Sequence, residues 1–135
     1  MSQTDGPFFI AKDIEWETTA DGVKRQILAV GTDLMLVRVD FEAGAVGAVH
    51  HHPHRQATYV AAGTFDVTMG SESQRVTVGD SFTAPADVPH GVKAIEAGTL
   101  IDCFTPYRGT SFSSGCSVSY SASAKQGTGR VPQRR

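Results

Sequence analysis

The stretch "DLMLVRVDF", residues 33 to 41, alternates with a period of two: Met35, Val37, Val39 and Phe41 fall on one face, and Leu34, Leu36, Arg38 and Asp40 on the other. Only an extended strand can use that pattern, because successive side chains of a strand point to opposite sides of the sheet. Short β-prone runs follow at 57–62, 64–69, 74–78, 81–84, 92–96 and 99–104, each set off from the next by Gly, Pro, Ser or Asp. No convincing amphipathic helix lies between them. Strands this short and this regularly spaced predict an all-β sandwich or barrel. No repeat at the scale of 20 to 50 residues is visible.

A chain of 135 residues with 40% hydrophobic content can fill one core in one domain. Twelve Lys plus Arg against fourteen Asp plus Glu give a net charge of −2, so nothing predicts a nucleic-acid partner. No run approaches the length of a membrane span, and "MSQTDGPFF" lacks the basic start and apolar middle of a signal peptide. The chain therefore reads as cytoplasmic, with a small-molecule substrate and protein subunits as its expected partners. Cys103 and Cys116 have no CxxC spacing and read as reduced thiols.

Chemistry concentrates in "HHHPHRQ", residues 50 to 56, which holds four of the five histidines. His50 and His52 stand two apart at the end of an extended run, so both rings point to one face and can reach one ion. Gln56 lies at an even offset beyond Pro53 and offers an amide oxygen as a further ligand. His90 follows "TAPADVP", where two prolines and an aspartate pin a turn that can present it to the same cavity. Neutral imidazole suits a divalent transition metal, with Ni, Zn, Fe, Mn and Co all compatible. The plainer alternative is a set of surface imidazoles with no metal. His51 and His54 lie off the pattern and read as solvated or supporting residues.

A second constellation is "IDCFTPYR", residues 101 to 108. Asp102 and Phe104 share a face, and an aspartate between Ile101 and Cys103 is an unusual choice for a buried β position. It is either a structural carboxylate paired with an arginine or a general acid/base close to the metal. Arg108, after Pro106, offers a planar fork for a substrate carboxylate or, equally, a rim ion pair. Phe104 suits either the core or a platform for a sugar ring.

These residues also carry a resemblance. Gly44, His50, His52, Gln56 and Gly63, at intervals of five, one, three and six intervening residues, look like the first cupin motif, with glutamine where most cupins have glutamate. Gly79, Pro85 and His90 look like the second motif, with Asp87 in place of its usual glycine and Ala94 in place of its usual asparagine. The resemblance implies an all-β cupin double-stranded β-helix, a small antiparallel jelly-roll barrel. "HHHPHRQ", "GDSFTAPADVPHG" and "IDCFTPYRGTSF" together resemble the single-domain cupins of the KdgF type, which act in pectin and alginate catabolism. That likeness implies metal-dependent ring opening of 4,5-unsaturated uronate monosaccharides to linear 5-keto-4-deoxyuronate. It implies one divalent transition metal on His50, His52, Gln56 and His90, with Asp102 and Arg108 as catalytic residues and Phe104 and Arg108 facing the substrate; Tyr107, beside Arg108, stands where a proline is common and is a further candidate for substrate binding. The alternatives are a cupin dioxygenase acting on a small phenolic or keto compound and a non-catalytic metal- or sugar-binding cupin.

The barrel domain is expected to span residues 1–108. From Gly109 onward the chain turns Ser- and Gly-rich, so 109–135 reads as an arm with a mobile tail. Within it Cys116, Val118, Tyr120 and Ala122 alternate with serines, a strand pattern that predicts pairing with a sheet edge of this barrel or a neighbour's. The expected assembly is a homodimer.

Overall fold

The computed structural model describes residues 7–106. Eight antiparallel strands follow a 3-10 turn at Ala11–Asp13: β1 (Glu17–Ala20), β2 (Val23–Val30), β3 (Met35–Phe41), β4 (Val46–His50), β5 (Arg55–Met69), β6 (Glu72–Thr77), β7 (Ser81–Ala84) and β8 (His90–Thr105). Among the described residues no helix is long and apolar enough to cross a membrane. The all-strand architecture expected from the alternation is present, and β3 buries Met35, Val37 and Phe41 as its pattern predicts. The arm read at 116–122 lies outside the described residues.

Two long strands organise the rest. β5 pairs with β8 from Arg55 opposite Thr105 to Met69 opposite His90. Each half of this ribbon has its own outer partner: β5 pairs with β7 over Gln56–Tyr59 and with β6 over Thr64–Met69, while β8 pairs with β3 over Gly98–Phe104 and with β4 near His90–Lys93. The change of partner coincides with register shifts around Ala62 and Thr64. Such irregularities bend a strand and increase its twist, so that one strand serves two faces of a closed fold. The sequence predicts a break in both strands at this point, because Gly63 and Gly98 look like turn residues. They are instead a bend inside continuous strands.

The bend is possible because two backbones touch there. Gly63 has φ +84°, a conformation in which a side chain is strained, and a Cβ on it would lie 2.6 Å from the Ala97 carbonyl oxygen. A Cβ on Gly98 would collide with the Ala62 carbonyl oxygen and the Gly63 backbone. Beside this crossing lies the main core of Val23, Phe41, Val60, Phe65, Val67, Val76, Ala94 and Leu100. Phe41 and Phe65 meet edge to face at 5.2 Å. Gly98→Ala forces backbone against backbone with no flexible side chain to yield. It is expected to destabilise the fold by about 1–3 kcal/mol, read as a lower urea midpoint at unchanged slope; an unchanged midpoint would contradict the close crossing.

Candidate metal centre

The bend returns the far end of the ribbon to its start. His90 opens β8 opposite His50 at the end of β4, while His52 follows in the connection to β5 and Gln56 is the second residue of β5. The rings of His50 and His90 are 4.5 Å apart between centroids, those of His52 and His90 4.8 Å and those of His50 and His52 5.4 Å. Ligand atoms of the three histidines lie within 4.8 Å of one another, so the group can hold a metal ion. His52 and His90 are buried and His50 is half-buried.

Hydrogen bonds decide which nitrogen faces inward. Nδ1 of His50 is 2.8 Å from the Ala48 carbonyl oxygen, Nδ1 of His90 is 2.8 Å from that of Val88, and Nδ1 of His52 is 3.1 Å from that of His54. A carbonyl oxygen only accepts, so each Nδ1 carries the proton and donates it. Each Nε2 is then left as a lone-pair nitrogen, the form in which imidazole binds a metal.

Gln56 completes the set. Its Nε2 donates to Thr58 Oγ1 at 2.8 Å and lies 3.4 Å from Asp102 Oδ1, so its Oε1 is the end that faces His52 Nε2, 3.2 Å away. Two acceptors at that separation repel unless a cation lies between them, either a second proton on His52 or a metal ion. Donors each about 2.1 Å from one ion are roughly 3.0–3.4 Å apart. The donor set fits a divalent transition metal: three inward imidazole nitrogens and one amide oxygen, none of them charged.

Asp102 and Phe104 stand on the same wall because β5 and β8 place Thr58 opposite Asp102 and Gln56 opposite Phe104. Asp102 is buried and accepts a 2.6 Å hydrogen bond from Thr58 Oγ1. Phe104 is buried with its ring 5.8 Å from that of His52. Both border a cavity of about 350 Å³ that His50, Gln56 and His90 also line, a size suited to a small ligand. Cys103 points away from this face; burial pushes its thiol up and the neighbouring Asp102 charge adds to the shift, consistent with an unreactive thiol. Tyr107 and Arg108 lie outside the described residues.

Of the histidines read as off the pattern, His51 is exposed, 3.8 Å from Asp87 Oδ1. His54 is buried and supports the site through the carbonyl that receives His52 Nδ1–H. Asp87, standing where the second motif has its usual glycine, has φ 64°. Aspartate tolerates that left-handed conformation better than most residues, and its N–H ties the turn to the His52 carbonyl at 2.7 Å.

Arg25 was not singled out in the sequence. It is 5% exposed, points inward from β2 between Val23 and Ile27, and is the one Lys or Arg lining the cavity among the described residues. Its Nε donates to Glu17 Oε1 at 2.8 Å. The available signal was a period-two alternation in "VKRQILAV" that puts a cation on the apolar face.

Residues 37–101 match the Cupin domain family. The chain is 43% identical over 103 residues to pectin degradation protein KdgF of Dickeya dadantii (strain 3937), an alignment covering 75% of this chain and 94% of that protein. The chain belongs to the KdgF family of cupins. Among solved structures, KdgF from Halomonas sp. is 41% identical, with a TM-score of 0.73 over 78% of this chain and 97% of that one. An RmlC-like cupin from Shewanella frigidimarina is 38% identical, with a TM-score of 0.75 over 81% and 98%. The KdgF-type likeness read from the His and Asp motifs is thus borne out across most of the chain.

In this KdgF-family protein, elemental analysis should find close to one equivalent of a transition metal. His52→Ala combined with His90→Ala should lose it, since two buried nitrogens of the triad are removed. Full metal retention by the folded double variant would contradict the site.

Proposed function

We propose that this protein opens 4,5-unsaturated uronate monosaccharides to linear 5-keto-4-deoxyuronate, with a divalent transition metal on His50, His52, Gln56 and His90. Support comes from 43% identity to a pectin degradation protein over 94% of its length, and from a buried carboxylate on the wall of the cavity that His50, Gln56 and His90 line. The second of these carries the mechanism.

The reaction is an isomerisation. The C1–O5 bond of the hemiacetal breaks as the O1 proton leaves and C1 becomes an aldehyde; the enol left at C5 becomes a ketone once a proton reaches C4. No atom is gained or lost, so the protein must supply a place for a proton and a fixed pose for the ring. Asp102 is the group that takes and returns that proton, its carboxylate held on the cavity wall by the Thr58 hydroxyl. Arg108 grips the substrate carboxylate as a bidentate fork, and Arg25, its Nε tied to Glu17, adds a guanidinium to the cavity wall. Phe104 and Tyr107 flank the ring. When bound, the metal supplies Lewis acidity that polarises a substrate oxygen. Four neutral donors leave its positive charge undiminished, as that role requires. The expected homodimer belongs to the same proposal and is read from the mass in solution.

Ring opening removes the conjugated double bond, so turnover is followed as loss of ultraviolet absorbance, with oxygen uptake recorded in parallel. Asp102→Asn keeps the shape but cannot accept a proton and should cut kcat by about 10²- to 10⁴-fold, while Arg108→Ala should chiefly raise KM. Wild-type protein that leaves the absorbance at its spontaneous decay while consuming oxygen with a phenolic substrate would contradict the proposal.

A further inference from the structure

A glutamine is an ambiguous metal ligand. Its amide oxygen can bind an ion and its amide nitrogen cannot, yet the two ends have nearly the same shape. A half-turn about the last side-chain bond would replace ligand with non-ligand at little steric cost. Something other than shape must hold Gln56 the right way round.

The hydrogen bonds around Thr58 do so. Thr58 is 1% exposed, so no solvent substitutes for its contacts. Its hydroxyl oxygen is 2.6 Å from Asp102 Oδ1 and 2.8 Å from Gln56 Nε2. A hydroxyl has one proton, and the carboxylate, which only accepts, takes it. The hydroxyl oxygen can then only accept from Gln56, and only the nitrogen end of the amide can donate. Turning the amide over would set Oε1 against the lone pairs of Thr58 and against the Asp102 carboxylate, 3.4 Å from the present nitrogen. The direction of the chain therefore runs from the Asp102 charge through one hydroxyl to the face that Gln56 presents to His52.

We infer that Thr58 is the positioning residue that keeps the oxygen of Gln56 directed at the metal. The inference rests on Gln56 being a ligand, and the experiment separates the two statements. Zn(II) affinity is measured by competition with a chromophoric chelator for wild type, Thr58→Val, Thr58→Ala, Thr58→Ser and Gln56→Ala, with folding checked by circular dichroism. Thr58→Val keeps the shape and loses the hydroxyl, and should weaken Zn(II) binding by about 10- to 100-fold. Thr58→Ala should show a similar loss, and serves alone if the valine variant does not fold. Thr58→Ser restores the hydroxyl and should bind close to wild type. Wild-type affinity in folded Thr58→Val or Thr58→Ala, beside weakened Gln56→Ala, would overturn the role of Thr58 and leave Gln56 a ligand. A serine variant as weak as the valine variant would assign the effect to the methyl group and overturn it too. Unchanged affinity in Gln56→Ala would remove the ligand itself, and the role of Thr58 with it.

Discussion

The site exists because one two-stranded ribbon bends until its ends meet. Gln56 and Met69 are separated along β5 by roughly 40 Å of extended chain, and His90 pairs with Met69 at the far end. Yet the ring of His90 is 4.8 Å from that of His52, whose Nε2 is 3.2 Å from Gln56 Oε1. A straight ribbon cannot bring these groups together. Gly63 and Gly98 make the crossing at which β5 and β8 exchange partners, and the convergence of the histidines on one point is a consequence of that closure. Stability and function thus meet in two residues that touch no ligand.

Once the ends meet, function depends on orientation more than on proximity. Three backbone carbonyls take the Nδ1 protons of the histidines and turn the Nε2 lone pairs inward. Asp102 and Thr58 do the corresponding work for the amide of Gln56. The negative charge is therefore kept one shell back from the donors, close enough to orient them and far enough to leave the donor set neutral. The same carboxylate borders the cavity, so a single aspartate serves both the proposed metal ligands and the proposed proton transfer.

Much of this was legible because period-two alternation and motif spacing are local. His50, His52, Gln56 and His90 stood out by residue type and interval, and Asp102 and Phe104 by parity and by the oddity of a carboxylate in an apolar strand. What was missed depends on contacts across strands. Thr58 looks like any β-prone threonine until its register partner is seen to be Asp102. Arg25 sits in a strand whose alternation places a cation inward, a choice that has meaning only once a cavity lies on that side. For His54 the sequence left two readings open, solvated or supporting, because no periodicity describes the turn between β4 and β5 that buries it. Gly63 and Gly98 read as turns, because a glycine that permits a close crossing and one that permits a reversal look alike in one dimension.

In the proposed reaction a neutral donor set, with the negative charge held back on Asp102, drives ring opening. The most direct measurement is the metal content and the ring-opening kcat of Gln56→Glu at saturating metal. A carboxylate at this position keeps a ligand oxygen and adds a charge that reduces the Lewis acidity of the ion. One equivalent of metal should be retained and kcat lowered by about tenfold or more; wild-type kcat in the fully loaded variant would contradict a role for the neutral donor set.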